Sequence, residues 1–315
     1  MKGRFAISRG SRTQVEVVVA ELEADGHVGR GECTPYSRYG ESVEGVIEDV
    51  LRAGEELRET DERDRLGELL GPGAARNALD AAHWDLEARR TGVSVRARLG
   101  LGPPRDLPTF VTIGVASPAE MARAAQALSG QGGRLKLKGS GEGDLDRVAA
   151  VRAVAPGARI IVDANEAWSD TQLEHYLPEM RRYEVELVEQ PLPADQDAVL
   201  EDFDSPIPLC ADESCHDRST LDRLVGRYHF VNLKLDKTGG LTEALAMLEV
   251  ARERGLGVMV GCMLGTSLAM AAALPLAERA DLIDLDAPLL LDRDRVPGLE
   301  YRSGWILGAA PGVWG

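Results

Sequence analysis

The chain has 315 residues, 44% hydrophobic and 28% charged, which is long enough to bury a large core and too apolar for a disordered segment. Fifty-two acidic against 36 basic side chains leave a net charge of −16. That field repels phosphate backbones and anionic headgroups, so neither nucleic acid nor a membrane surface is an expected partner. The start, "MKGRFAISRG", shows no apolar core of a secretory signal, and the longest apolar tract, "LAMAAALPLA", is too short to span a bilayer and contains a proline. Cys33, Cys210, Cys215 and Cys262 lie far apart without a CxxC pair, which argues against a disulfide framework or zinc knuckle and fits a reducing cytoplasm.

In chain order, "QVEVVVAELEADGHVGRGECTP" alternates and turns at Asp25-Gly26, the pattern of an antiparallel hairpin. Two helical stretches follow. The second, "AARNALDAAHWDLEARRTG", places Ala78, Ala82 and Leu86 on one face and stops at Gly92. Pro103-Pro104 then breaks the chain, so residues 1–103 read as an α+β domain. Beyond it come eight short apolar runs, "TFVTIGV", "RLKLKG", "RIIVDAN", "VELVEQP", "IPLCADES", "FVNLKLD", "LGVMVGCM" and "LIDLDAP", separated by helical segments. This alternation predicts parallel strands with helical crossovers closing into an α/β barrel over residues 104–294. An open doubly wound sheet is the rival, weakened because no GxGxxG follows an early strand. The tail, residues 295–315, is expected to return to the first domain or cover the barrel base.

The chemistry of such a barrel gathers at the carboxyl ends of its strands. Reading each run to its end gives Lys136 and Lys138, Asp163, Glu189, Asp212, Lys234, and then Asp284 and Asp286. The acids at 163, 189 and 212 are each about one βα unit apart, so they occupy equivalent places on successive strands. Pooled there, a pair about 4 Å apart would repel by about 4 kcal/mol at an effective dielectric near 20. A hard dication relieves that, and an all-oxygen set points to Mg²⁺. The plain alternative is that these acids cap helices or sit in loops. Lys136 and Lys138 share one strand face, opposite Leu135 and Leu137, and their mutual repulsion is expected to lower the proton affinity of each. A lysine acting as a base near neutrality needs a pKa of about 7–8. Lys234 lies four strands from Lys138, on the far side of a substrate held between them; two opposed bases around one carbon allow its inversion. Lys237 is expected to reach water or pair with an acid.

With these residues in view, the chain resembles the enolase superfamily, and within it the dipeptide epimerases. "GGRLKLKG", "IVDANEAW", "VEQPLP", "ADESCH", "VNLKLDKTGGLTEAL", "GCMLGTS" and "DLDAP" match in order and spacing, while "GECTPYSRYGES" and "GAARNALDAAHWDLEAR" resemble the capping domain. The resemblance implies an N-terminal α+β capping domain over a modified TIM barrel, (β/α)7β. It implies Mg²⁺ on Asp163, Glu189 and Asp212, with Lys138 and Lys234 as the two bases and Lys136 stabilising the enolate. The use of Mg²⁺ with a lysine base in this superfamily is a known pattern. Asp284 and Asp286 resemble the pair that holds a dipeptide's free α-ammonium. Arg9 or Arg12, Arg9 by position, would meet an acidic second side chain, and Tyr36 and Tyr39 would shape the second capping loop. The substrate so implied is L-Ala-D/L-Glu, and murein peptide recycling follows only from it. Another dipeptide remains an alternative, as do a cycloisomerase or o-succinylbenzoate synthase, though these need no ammonium site. A non-catalytic peptide-binding module is the rival from a different class. Oligomeric state stays open, a homo-oligomer included.

Overall fold

The computed structural model describes every residue except 2, 4, 58–62, 129–132 and 309–311, and the side chains of Phe5 and Asp64 also lie outside the description. The chain starts with two antiparallel hairpins. Phe5–Ile7 (β1) pairs with Gly10–Arg12 (β2), and Val18–Ala24 (β3) with His27–Cys33 (β4). The second turns at Asp25 and Gly26, whose φ values of 52° and 75° are those a two-residue hairpin loop of matching twist demands. Helix Val43–Leu57 (α1) and helix Ala74–Thr91 (α2) complete this layer, and α2 ends at left-handed Gly92 as its sequence suggests. The face of α2 carrying Ala78, Ala82 and Leu86 lies directly on β4. A Cβ added at Gly29 would stand 2.2 Å from Ala82 O, and one at Gly31 2.0 Å from Ala78 O. Strand and helix therefore touch backbone to backbone.

All eight apolar runs become strands: Val111–Ile113 (β5), Arg134–Lys138 (β6), Arg159–Asp163 (β7), Val185–Glu189 (β8), Leu209–Ala211 (β9), Phe230–Leu233 (β10), Gly257–Gly261 (β11) and Leu282–Asp284 (β12). They pair in parallel in sequence order. The N–H of Phe110 donates to Ile283 O at 2.9 Å, joining the last strand back to the first. Helices Pro118–Ala127 (α3), Asp144–Val154 (α4), Asp170–Arg182 (α5), Leu241–Glu253 (α6) and Ser267–Ala277 (α7) take up the main outer positions. Outward strand residues such as Leu135, Leu137, Ile160, Val162 and Val188 pack under these helices. Inward ones, Ile161, Leu187, Cys210 and Met259, fill the barrel with Phe110. Two residues further along the same strand faces come Asp163, Glu189 and Asp212, so the period of two lifts each acid onto the top of the plug.

The tail makes contact in two places. Tyr301–Arg302 and Trp305–Ile306 form a small antiparallel sheet with Leu107–Pro108, and Arg134, at the start of β6, stacks 5.1 Å over the Trp305 ring. Further on, Trp314 Nε1 donates to Ala81 O and Gly315 N to Asp85 Oδ1, both on α2.

The contact between β4 and α2 leaves no room for a methyl group. Gly31→Ala is expected to lower stability by about 3 kcal/mol, read as a reduced urea midpoint at unchanged slope; an unchanged midpoint would refute the close approach.

Candidate active site

A cavity of about 380 Å³ opens between the hairpin loops and the carboxyl ends of the strands, lined among others by Arg9, Arg12, Tyr39, Lys136, Lys138, Asp212, Lys234, Asp284 and Asp286. Asp163, Glu189 and Asp212 are buried at its floor, each offering a carboxylate oxygen, with the three oxygens within 4.8 Å of one another. An octahedral Mg²⁺ bonds oxygen at about 2.0–2.1 Å and so spans about 4.2 Å between opposite ligands. The cluster fits that ion in size and in its all-oxygen donors. Asn232, inward on β10, donates to Glu189 Oε1 at 2.8 Å and orients that carboxylate.

The lysines are woven into this floor. Lys136 Nζ lies 2.6 Å from Glu189, 2.7 Å from Asp284 and 3.2 Å from Asp163. Lys138 pairs with Asp163 at 2.6 Å and, on the far side, Lys234 with Asp212 at 2.6 Å. Burial pulls the Lys136 ammonium down, but Asp284, Glu189 and Asp163 outweigh it and hold the group well above its ordinary value. Lys234 is raised in the same way, burial being overcome chiefly by Asp212. This corrects the expectation that a lysine neighbour lowers the proton affinity of Lys136: its ammonium faces carboxylates from other strands. Burial works to raise Asp163, yet Lys138 and Lys136 hold it below the usual range. Glu189, with a smaller share of cations, is pushed up to about 7 by burial and by Asp163.

Lys237 does not reach water. Its side chain is fully buried and donates to Asp212 Oδ1 at 2.6 Å, Asp212 O at 2.5 Å and Asn232 O at 2.9 Å. The turn after β10 folds it back under Asp212, so the acid-paired alternative holds. Asp284 and Asp286 are both buried at the cavity wall. Asp284 Oδ1 has no hydrogen-bond partner among the described residues, while Asp286 Oδ2 accepts from Thr112 N at 2.6 Å and is pushed up to about 7 by burial and Asp284. Arg9 is engaged by Glu213 at 2.7 Å and Glu166 at 3.1 Å. Arg12 lies 5.5 Å over the Tyr36 ring and has no carboxylate partner among the described residues. Tyr39 packs edge-on against His216 at 4.5 Å.

Glu213, Glu166, Arg38 and Asp236 were not singled out by sequence reasoning. Glu213, beside Asp212, is buried, and burial and Asp212 push it up to about 7. Strand alternation would turn it away, but β9 ends at Ala211 and the rule ends with it. Asp236 joins the layers: its Oδ1 accepts from Thr34 N and Asn77 Nδ2, both at 3.0 Å.

Fold and site together define a capped α/β barrel with a dication-type acid triad between opposed lysines. Residues 1–100 match the mandelate racemase / muconate lactonizing enzyme N-terminal domain, and residues 119–312 the enolase C-terminal domain-like family. The chain belongs to the enolase superfamily. It is 46% identical over 95% of its length to an L-Ala-D/L-Glu epimerase of Escherichia coli (94% of that protein), and 39% identical over 96% to an N-acetyl-D-glutamate racemase of Pseudoalteromonas (95% of that protein). Among solved structures, an enolase family member from Agrobacterium tumefaciens with homology to dipeptide epimerases, holding sodium and L-Ala-L-Glu, superposes with a TM-score of 0.97 at 46% identity, covering 99% of this chain and 96% of that one. A dipeptide epimerase from Cytophaga hutchinsonii complexed with Mg and D-Ala-L-Val gives 0.91 at 27% identity, covering 100% and 92%.

Burial pushes Asp236 up to about 7. A carboxyl whose folded pKa exceeds its unfolded one stabilises the fold at low pH and loses that contribution as pH rises toward the folded value, at about 1.4 kcal/mol per pH unit. Asp236→Asn keeps an acceptor for Thr34 while removing the charge. The fall in thermal stability from about pH 5 to about pH 8 is expected to shrink in the variant by up to about 3 kcal/mol; identical pH profiles would refute the assignment.

Proposed function

We propose that the chain is a Mg²⁺-dependent dipeptide epimerase that inverts the α-carbon of the C-terminal residue, with L-Ala-D/L-Glu as its substrate pair. The observation that carries this reading is the opposition of two lysines across one acid triad, Lys138 on Asp163 and Lys234 on Asp212, each at 2.6 Å. Asp163, Glu189 and Asp212 would hold the cation. Bound there, Mg²⁺ would supply positive charge to offset the negative charge that develops on the substrate carboxylate.

The chain's own groups do the rest. One lysine enters as the neutral amine and the other as ammonium. Lys138 takes the α-proton on one face as the C–H bond breaks, and Lys234 returns a proton to the opposite face as the new C–H bond forms; the reverse direction exchanges their roles. Lys136 adds a fixed ammonium beside the developing charge, a term that grows toward the transition state. Asp284, through an Oδ1 without a hydrogen-bond partner among the described residues, and Asp286 accept the dipeptide's ammonium by charge-assisted bonds. With Arg9 engaged by Glu166 and Glu213, Arg12 is the guanidinium left to receive the glutamate side chain. Tyr39 walls the cavity beside it.

The likeness to an N-acetyl-D-glutamate racemase favours a second reading, an N-acylated glutamate as substrate. The buried Asp284–Asp286 pair supports a free ammonium instead, and it weighs against cycloisomerase chemistry. A cytoplasmic role in murein peptide recycling follows from the L-Ala-D/L-Glu substrate. The four thiols are free, and among the described residues no helix is long and apolar enough to cross a membrane.

In D₂O with Mg²⁺, L-Ala-L-Glu is expected to lose its C-terminal α-proton signal while L-Ala-D-Glu accumulates. Lys138→Met and Lys234→Met should each cut epimerisation by about 10³-fold or more while retaining exchange from one enantiomer only, the opposite one in each variant. Turnover confined to N-acetylglutamate, or exchange of no dipeptide, would sink the assignment. By calorimetry Mg²⁺ should bind the wild type, and Asp163→Asn should weaken it by about 100-fold or more, beyond the typical cost of an outer-shell change; equal affinity would remove the triad from the metal site.

A further inference from the structure

One carboxylate at the barrel mouth takes no part in the chemistry above yet holds both capping loops. Glu166 follows β7, and its side chain is only 8% exposed. Oε1 accepts from Arg38 Nη2 at 2.7 Å and Ala194 N at 3.0 Å; Oε2 accepts from Arg38 Nε at 2.9 Å and Arg9 Nη1 at 3.1 Å. Arg9 belongs to the β1–β2 turn and Arg38 to the single 3-10 turn Ser37–Tyr39. The adjacent carbonyl joins in: Asn165 O accepts from Ser8 Oγ at 2.8 Å and Arg9 Nη1 at 3.1 Å. Asn165 and Glu166 both carry positive φ, 46° and 65°, a conformation that residues with a Cβ avoid unless the surroundings impose it. Here the left-handed turn presents a carbonyl and a carboxylate together to the cap.

The grip extends to the cavity. Arg9 Nη2 donates to the Tyr36 hydroxyl at 3.2 Å, and the Tyr36 ring carries the Arg12 guanidinium at 5.5 Å. We propose that Glu166 is a positioning residue for recognition of the acidic side chain: it locks the two capping loops to the barrel and, through Arg9 and Tyr36, sets Arg12 where the substrate's second carboxylate lies. The substrate half of this inference rests on the function proposed above, whereas the loop-locking half does not. Glu166 spends its charge on Arg9 and Arg38, so of Arg9, Arg12 and Arg38 only Arg12 has no carboxylate partner among the described residues. Discrimination for a dipeptide with a second carboxylate then depends on a residue that never touches it.

Trypsin cleaves after arginine, which makes Arg9, Arg12 and Arg38 reporters of their own loops. Glu166→Gln keeps the shape and an acceptor for Ala194 N but removes the charge; Arg38→Gln, at the surface, is the milder second variant. Both are to be compared with wild type as full chains with unchanged circular dichroism. Cleavage after these three arginines, mapped by mass spectrometry, should quicken by about tenfold in Glu166→Gln; in Arg38→Gln, where the sites after Arg9 and Arg12 remain, cleavage there should quicken by less. KM for L-Ala-L-Glu should rise about tenfold, with kcat and the KM for L-Ala-L-Leu changing far less. Unchanged cleavage in both variants overturns the lock. Faster cleavage with an unchanged KM for L-Ala-L-Glu, or a loss confined to kcat, overturns the recognition role. If wild type turns over no dipeptide, the proposed activity falls while the cleavage rates still decide on the lock.

Discussion

The floor of the cavity is a layer of opposite charges taken out of water together. Asp163, Glu189, Asp212 and Asp284 meet Lys136, Lys138, Lys234 and Lys237 in contacts of 2.6–3.2 Å. A single charge left unpaired at such depth costs several kcal/mol, so no member can be considered alone. The distribution is uneven, and that unevenness is chemical information. Asp212 is held low, burial being offset by Lys234 and Lys237 on either side, whereas Glu189 is pushed up to about 7. Lys136, Lys138 and Lys234 share their carboxylates with the place a dication would take, so a bound cation would compete with each ammonium for the same oxygens.

The cap is joined to this floor through buried acids as well. Glu32 on β4 accepts from Thr266 N at 2.6 Å, from Thr266 Oγ1 at 2.5 Å and from Arg295 Nε at 3.1 Å. Thr34 Oγ1 donates to Leu264 O at 2.6 Å. The loop after β11, whose Met263 and Leu264 line the cavity, is thus set by the first domain. Asp236 does the same for the turn after β10. Hydrogen bonds from backbone donors to buried carboxylates are directional and costly to leave unmade, so the two layers have one good registration.

Much of this was legible beforehand because the barrel rests on period-two alternation. Once "RIIVD", "VELVE" and "PLCAD" are strands, the acids fall on the inward face with no further assumption, and Leu135 and Leu137 fall outward as the alternation requires. What escaped lies just past strand ends, where the backbone turns and side-chain direction no longer follows count. Glu213, Glu166 and Asp236 are all of this kind. Their signal was an ionisable residue in a short apolar or small-residue context, which composition alone cannot tell from a solvated loop. The direction of the Lys136 shift was misjudged for a related reason: sequence shows which charges are neighbours along a strand, and the decisive partners came from other strands.

The tail's return to α2 has an engineering consequence. Trp314 and Gly315 dock on Ala81 and Asp85, and Trp305 pairs with Pro108 beneath the Arg134 guanidinium, so the first domain is held by residues from beyond the last barrel strand. Grafting a different cap onto this barrel to change ligand choice would therefore need two crossover points, with the final dozen or so residues travelling alongside the N-terminal hundred.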